Sequence, residues 1–351
     1  MCVNQYRFIK LQKEVVPELT ELLELRYGIL SYLKEAQPVG RRQLAQNLKE
    51  SERHVRNEVE FFQRKGWVEV QRQGILLTEQ GEHLLRELKE VVSIYKGMDS
   101  LESKLLKVLG IKKVIIVPGN QKNREAVLSD IGQKAAQYIL DHLQTHSVVG
   151  VTGGSTVSAV AAQMPRAGYP GVTVLPARGG IGKSHSNQAN SIVSRLAEQL
   201  GASKEMLHLP DSIDAKLLEA LKSDPDINAV FQRLKEMDMM VFGIGRADVM
   251  AKARNLSQEK ISELERKKAV AEAFGYFFDE KGEVVFRSSS VGIKVEDYKK
   301  IKHPIAVAGG AEKARAILAT TRVNDNMVLI TDENAAKEIL NIKEDILRRN
   351  F

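Results

Sequence analysis

Val148-Val149-Gly150-Val151 is an apolar run that leads into Thr152-Gly153-Gly154-Ser155-Thr156, and a helical stretch follows. Glycines let the backbone turn and let its N–H groups approach a ligand. The helix start adds the positive end of a dipole, and the hydroxyls add donors. Together these make a phosphate cradle. The same residues also suit a tight strand-to-helix turn with capping hydroxyls. Repetition favours the cradle. Pro176-Ala177-Arg178-Gly179-Gly180, Phe242-Gly243-Ile244-Gly245-Arg246 and Val307-Ala308-Gly309-Gly310-Ala311-Glu312-Lys313 each follow another apolar run. Small-residue turns after the strands of one sheet gather at its carboxyl edge, where open α/β folds bind ligands. Two of these turns carry a fixed cation, Arg178 and Lys313, and Arg254 is a third candidate. Several cations around a glycine-rich cradle suit a polyanionic small molecule such as a sugar phosphate. Gln188 and Glu272 could take its hydroxyl groups. Taken singly, each cation also has a weaker reading as a solvated surface residue.

Other chemistries find less support. His142 and His146 are four residues apart but lack an evident third ligand, so no metal site is expected. Seven histidines in scattered positions define no Ser-His-Asp triad, and no Walker lysine follows a GxxxxG. An isomerase or deaminase acting on sugar phosphates would need an acid/base pair beside the reacting carbons. Asp211, Asp214 and Glu272 are the carboxylates available, and none sits in a catalytic motif. That reading remains second, and no catalytic residue or cofactor is expected.

A second group of polar residues lies near the amino terminus. A helix is expected over 17–34, with Leu19, Leu22, Leu23, Leu25, Ile29 and Leu30 as its apolar face. Pro38-Val39-Gly40 breaks it, and short helices follow at 41–48 and 51–65, the latter capped by Ser51. Trp67–Val70 and Ile75–Thr78 read as strands around the polar turn Gln71-Arg72-Gln73-Gly74, and a helix over 79–94 closes the unit. This is the order of a winged helix-turn-helix. Leu44, Ala45 and Leu48 would pack on Val55, Val59 and Phe62. That leaves Arg53, His54, Arg56 and Asn57 to meet base edges, Arg41 and Arg42 to meet phosphates, and Arg72 and Gln73 at the wing tip.

The chain of 351 residues thus divides into residues 1–97, helical and DNA-binding, and residues 112–351, where strands and helices alternate. Between them, Leu101, Leu105 and Leu109 predict a helical linker over 98–111. Strands are expected at 113–117, 147–151, 172–175, 205–209, 239–242, 305–308 and 327–330. A single cysteine excludes an internal disulfide framework. No apolar run nears the ~20 residues of a membrane helix, and the first residues lack the apolar core of a signal peptide, so a cytoplasmic location is expected. The net charge is +7, yet residues 1–97 hold 16 Lys+Arg against 14 Asp+Glu. Recognition of DNA must therefore depend on where particular arginines point.

The two halves together resemble the SorC/DeoR-type sugar-binding transcriptional regulators of bacteria. The resemblance covers nearly the whole chain and rests on Pro38-Val39-Gly40-Arg41-Arg42, Val151–Gly154, Val174–Gly180, Asn187–Asn190, Glu272–Tyr276 and Val307–Gly310, in that order after a winged helix. It implies a repressor of lower-glycolysis genes, with operator DNA and a phosphorylated sugar, fructose-1,6-bisphosphate, as partners. It implies a doubly wound effector domain of the glucosamine-6-phosphate deaminase and ribose-5-phosphate isomerase type. Carried over by motif, Gly153-Gly154-Ser155-Thr156, Arg254 and Lys313 would hold one phosphate. Arg178 would meet the other end of the ligand, and Gln188 and Glu272 the sugar hydroxyls. Ser155 stands where this subfamily can have Thr, and the hydroxyl is kept. The effector domain is expected to make a homo-oligomer, a dimer that becomes a tetramer on DNA.

Overall fold

The structure is a computed structural model that describes Gln12 and residues 15–95, 98–119, 123–179, 187–210, 213–288 and 291–349. By its contacts the chain divides into two units. One comprises Met1–Ser100 with Pro118–Val127, and the other Leu101–Val117 with Leu128–Phe351.

The first unit contains α1 (Pro17–Ala36), α2 (Arg41–Leu48), α3 (Glu52–Arg64), β1 (Val68–Gln71), β2 (Gly74–Leu77) and α4 (Glu79–Tyr95). The element order matches the expectation. Ser51 caps α3, its hydroxyl accepting from the His54 N–H at 3.1 Å. The core joins Ile29, Leu30 and Leu33 to Leu44, Ala45, Val55, Val59 and Phe62, with Val68 and Ile75 from the hairpin. Two details differ from the sequence reading. The first turns of α1 are not buried: Leu19 is 42% exposed, and burial begins at Ile29. The helix breaker at 38–40 also has a positive role. Val39 and Ile75 exchange both backbone hydrogen bonds, at 2.9 and 3.2 Å, so the breaker adds a one-residue third strand to the hairpin.

The second unit centres on a seven-stranded parallel sheet. Its strands are β3 (Lys113–Val117), β4 (Val148–Val151), β5 (Thr173–Pro176), β6 (Ser203–Lys204), β7 (Met239–Gly243), β12 (His303–Val307) and β13 (Val328–Asp332), arranged β3-β13-β12-β7-β4-β5-β6. All residues of β4 and β13 are buried. Such continuous apolar runs belong to strands covered on both faces. The order reverses between β4 and β7: β5 and β6 extend to one edge, β12 and β13 towards the other. A ligand crevice forms at such a reversal. The helices are α5 (Met98–Leu109), α6 (Arg124–His142), α7 (Ser155–Gln163), α8 (Ala189–Leu200), α9 (Ala215–Leu221), α10 (Pro225–Lys235), α11 (Ala247–Ala253), α12 (Gln258–Arg266), α13 (Val295–Tyr298), α14 (Ala314–Thr321) and α15 (Glu333–Arg349). The helix expected as a linker is α5. Its Leu105 is fully buried, and its Glu102 accepts the Ile116 N–H of β3 at 2.6 Å.

A second sheet is absent from the sequence reading. The short strands β8 (Gly245–Arg246), β9 (Ala269–Ala273), β10 (Tyr276–Asp279) and β11 (Val284–Arg287) form an antiparallel sheet in the order β11-β10-β9-β8. The strand expected over 205–209 is also displaced, since the sheet ends at β6, two residues earlier. There Asn190 takes the place of a neighbouring strand: its side chain donates to Leu207 O at 3.1 Å and accepts from Leu207 N–H at 3.3 Å.

Candidate functional site

The turn after β4 begins with a buried threonine. Thr152 N–H donates to Val241 O at 3.0 Å, and its hydroxyl faces the Gly243 N–H at 3.4 Å. These bonds tie the end of β4 to the end of β7, where the strand order reverses. Gly154, at φ 121°, is the cap of α7. That backbone region is natural only to glycine. A glycine cap offers no side-chain acceptor to the N–H groups of the first helical turn. Gly154 N–H itself donates to Asn187 O at 2.9 Å, which brings the turn before α8 against the cradle. Gln188, half-buried, caps α8 beside it. Ser155 is exposed and Thr156 buried.

The Gly309-Gly310 turn reaches the same edge through register, because Val307 pairs with Gly243. It is held by a residue the sequence reading missed. Asp332, buried at the end of β13, accepts Gly310 N–H at 2.7 Å on one oxygen and Ala335 N–H at 2.8 Å on the other. Its position directly after an apolar strand was the available signal. Lys313 ends the single turn of 3₁₀ helix that follows and is half-buried.

On the opposite side, Ala177 N–H continues β5 by donating to Val151 O at 2.8 Å. Arg178 and Gly179 follow, both buried. A strap at Val291–Ile293 clamps them, with Gly179 N–H donating to Val291 O and Ile293 N–H to Ala177 O. A Cβ at Gly292 would lie 2.8 Å from Ala177 O, so only glycine fits the strap there. Glu272 stands opposite Gly245 in the β8–β9 register. It receives both Arg178 Nη1, at 3.3 Å, and Arg254 Nη2 on its Oε1. The side chains of Arg178 and Arg254 are 4% exposed and that of Glu272 is 5% exposed. Three residues singled out separately in the sequence thus form one buried cluster. Thr152 to Ser155, Gln188, Gly309 and Gly310 lie along the same edge; Gly180 and Asp211 fall outside the described residues. Among the described residues no cluster of His, Cys, Asp and Glu is arranged to hold a metal ion.

The polar residues of the first unit are disposed differently. Arg41, Arg42, Arg53, His54, Arg56, Asn57, Arg72 and Gln73 are all exposed. On α3 they share the outer face, while Val55, Val59 and Phe62 point into the core. Several are paired at the surface: Arg42 with Glu52 at 3.5 Å, His54 with Glu50 at 3.3 Å, and Arg56 with Glu60 at 2.9 Å. The Arg56 hydrogen bond holds the Glu60 carboxyl below the usual carboxylate range. Beneath them, Glu58 pairs with Arg26 at 2.7 Å, and the Arg26 guanidinium lies 4.1 Å from the Phe61 ring centre, fixing α3 against α1.

Residues 22–92 match the family model of the CggR N-terminal DNA binding domain, and residues 93–341 match that of a sugar-binding domain. The chain is 38% identical over 334 residues to the central glycolytic genes regulator of Priestia megaterium, covering 95% of this chain and 98% of that one. The chain belongs to the SorC-type family of sugar-binding transcriptional regulators. Its likeness to the central glycolytic genes regulator of Bacillus subtilis is 36% over the same 95% of the chain. Among solved structures, a SorC family transcriptional regulator from Enterococcus faecalis covers 69% of this chain and 99% of its own, at 35% identity and a TM-score of 0.64. The full-length sorbitol operon regulator SorC from Klebsiella pneumoniae shares the fold over 91% of this chain and 98% of its own, at 20% identity and a TM-score of 0.65. As a member of this family the protein is a transcriptional regulator with a DNA-binding and a sugar-binding domain. The isomerase or deaminase reading is set aside on that ground. No described helix is long and apolar enough to cross a membrane.

Proposed function

We propose that this protein represses central glycolytic genes and is released from operator DNA by a phosphorylated sugar, fructose-1,6-bisphosphate. The observation that carries the reading is one chain with two kinds of anion-ready arginine. Exposed arginines lie on a helix-turn-helix face, and buried arginines meet at the carboxyl edge of the parallel sheet, where a glycine-capped helix also starts. The likeness to two central glycolytic genes regulators over 95% of the chain supports the choice of target genes.

In this reading α3 enters the major groove with Arg53, His54, Arg56 and Asn57 towards base edges. Arg41 and Arg42 meet phosphates, and the wing carries Arg72 and Gln73 to the neighbouring backbone. In the effector domain, taken to share the deaminase and isomerase architecture, Gly153, Gly154, Ser155, Thr156, Arg254 and Lys313 hold one phosphate. Arg178 takes the far end, and Gln188 and Glu272 meet hydroxyls. Effector binding alters contacts between subunits of a homo-oligomer in the cytoplasm and so weakens cooperative DNA binding. A coupling of ~1–3 kcal/mol would change DNA affinity ~5–150-fold, enough for a switch.

Calorimetry of the full chain against a panel of glycolytic phosphates tests the ligand half of this reading. Fructose-1,6-bisphosphate is expected to bind tighter than fructose 6-phosphate, and unphosphorylated fructose not to bind. Equal binding of fructose and its phosphates would overturn it.

A further inference from the structure

Glu272 is placed to do more than accept a sugar hydroxyl. Its Oε1 receives Arg178 Nη1 at 3.3 Å, Arg254 Nη2, and the Gly275 N–H at 2.8 Å. Three chain segments therefore meet on one oxygen: the turn after β5, the end of α11 and the β9–β10 hairpin. The carboxylate has little freedom to leave. Phe274 and Gly275 form the two-residue hairpin turn with φ of 38° and 95°. The Phe274 ring is fixed against Tyr298 and Phe242, with centres 4.5 and 5.4 Å apart. Glu272 is thus a fixed anion that receives two guanidinium groups, and all three side chains are buried.

We propose that Glu272 is a specificity-determining residue, a built-in anion that competes with ligands for the Arg178–Arg254 pair. The proposal rests on reading the crevice as a sugar-phosphate site. A small singly charged anion gains nothing over Glu272 at these arginines. It must also lose its water and approach a like charge, which opposes binding. A phosphoryl group carries more charge and presents three strong acceptor oxygens, so it can draw a guanidinium fork into a bidentate contact while Glu272 keeps the other. The carboxylate therefore lowers the affinity for every anion, and lowers it most for those without a sugar scaffold to supply further contacts. Selectivity here comes from a repulsive element as well as from attractive ones.

The test is Glu272→Gln in the full chain, which keeps the shape and removes the charge. By calorimetry the variant is expected to bind inorganic phosphate at least about tenfold tighter than the parent, since one unit of nearby negative charge is gone. The preference for fructose-1,6-bisphosphate over inorganic phosphate should shrink, because the sugar phosphate gains less. Unchanged affinity for inorganic phosphate would overturn the proposal. So would a loss of sugar-phosphate affinity without any gain for phosphate, which would make Glu272 a hydroxyl acceptor only. Thermal unfolding supplies a reading that does not depend on sugar binding. Without its carboxylate the arginine pair should lower the melting temperature, and inorganic phosphate should restore more of it in the variant than in the parent. Equal restoration in both would count against the competing-anion role. If Glu272→Gln does not fold without phosphate, Glu272→Ser, which also removes the charge, should show the same two trends. A parent protein that binds no sugar phosphate at all would refute the proposed function, while the phosphate-dependent melting comparison would still decide the role of Glu272.

Discussion

Arg53 and Arg56 stand in water on the outer face of α3, whereas Arg178 and Arg254 are buried together on one carboxylate. The surface pairs of the first unit, such as Arg56 with Glu60, cost little to break, because exposed ion pairs are weak and screened by salt. Such arginines can exchange a glutamate for a DNA phosphate or a base edge and return. The buried pair cannot be exposed so cheaply, and its partner is fixed by a hairpin. In the proposed reading, one residue type serves two anions, and burial separates the two roles. Exposed arginines suit a long, strongly charged, salt-sensitive partner, and buried ones suit a small ligand chosen by shape and charge.

The strongest way to sharpen this contrast is Arg178→Ala. Removing one partner of a buried charge pair costs about 2–5 kcal/mol. Calorimetry should therefore show effector binding lost from the measurable range, while operator binding in a gel shift stays intact. Equal response to effector in the variant would break the contrast. Next in size is Asp332→Ala, which leaves two backbone N–H groups, the buried one of Ala335 and the half-buried one of Gly310, without their acceptor. A loss of about 1–3 kcal/mol is expected in denaturant unfolding, with weaker effector binding because the Gly309-Gly310 turn is released. Stability unchanged within error would show that the turn holds itself.

On the exposed side, Arg53→Ala should weaken operator binding by about 1 kcal/mol and leave effector affinity unchanged. A large loss of effector binding would contradict the separation of the two roles. The smallest effect concerns His303 at the opposite end of β12. Burial, with Lys112 and His142 nearby, holds its imidazole below the ordinary value. The folded protein thus keeps His303 neutral while the unfolded chain takes up a proton, so acidification below the ordinary value of about 6.5 lowers stability until the folded value is passed. Its ring nitrogen lies 3.2 Å from the Tyr138 hydroxyl. Replacing His303 by Gln should flatten the fall in melting temperature as the pH is lowered from about 7 to 5, because the folded-state value is held below the ordinary one. An unaltered slope would place the pH dependence elsewhere.

The first unit was legible in the sequence because its helices carry strong apolar periodicity and a Ser51 cap. Leu19 misled, since an apolar residue on the right face was counted although it is exposed in the first turns of α1. The third strand at Val39 is one residue long and has no periodic signal. In the second unit the glycine turns announced the parallel strands and their shared edge. The antiparallel sheet was hidden because its strands are two to five residues long and are interrupted by the charged turn Asp279–Glu283, which breaks the alternation. Glu272 was found as a polar residue in a motif, but its two arginine partners lie 94 and 18 residues away. No spacing rule joins residues that only the hairpin and two turns bring together. Asp332 was missed for the same reason, because its partners are backbone groups.

The separation of two anion sites with one coupling between them is tested most directly by fluorescence anisotropy of labelled operator DNA, titrated with this protein and increasing fructose-1,6-bisphosphate. The account predicts that millimolar sugar weakens DNA binding or its cooperativity by roughly 5–150-fold, and that Arg178→Ala abolishes this response. DNA affinity and cooperativity unaffected by the sugar in the parent protein would contradict it.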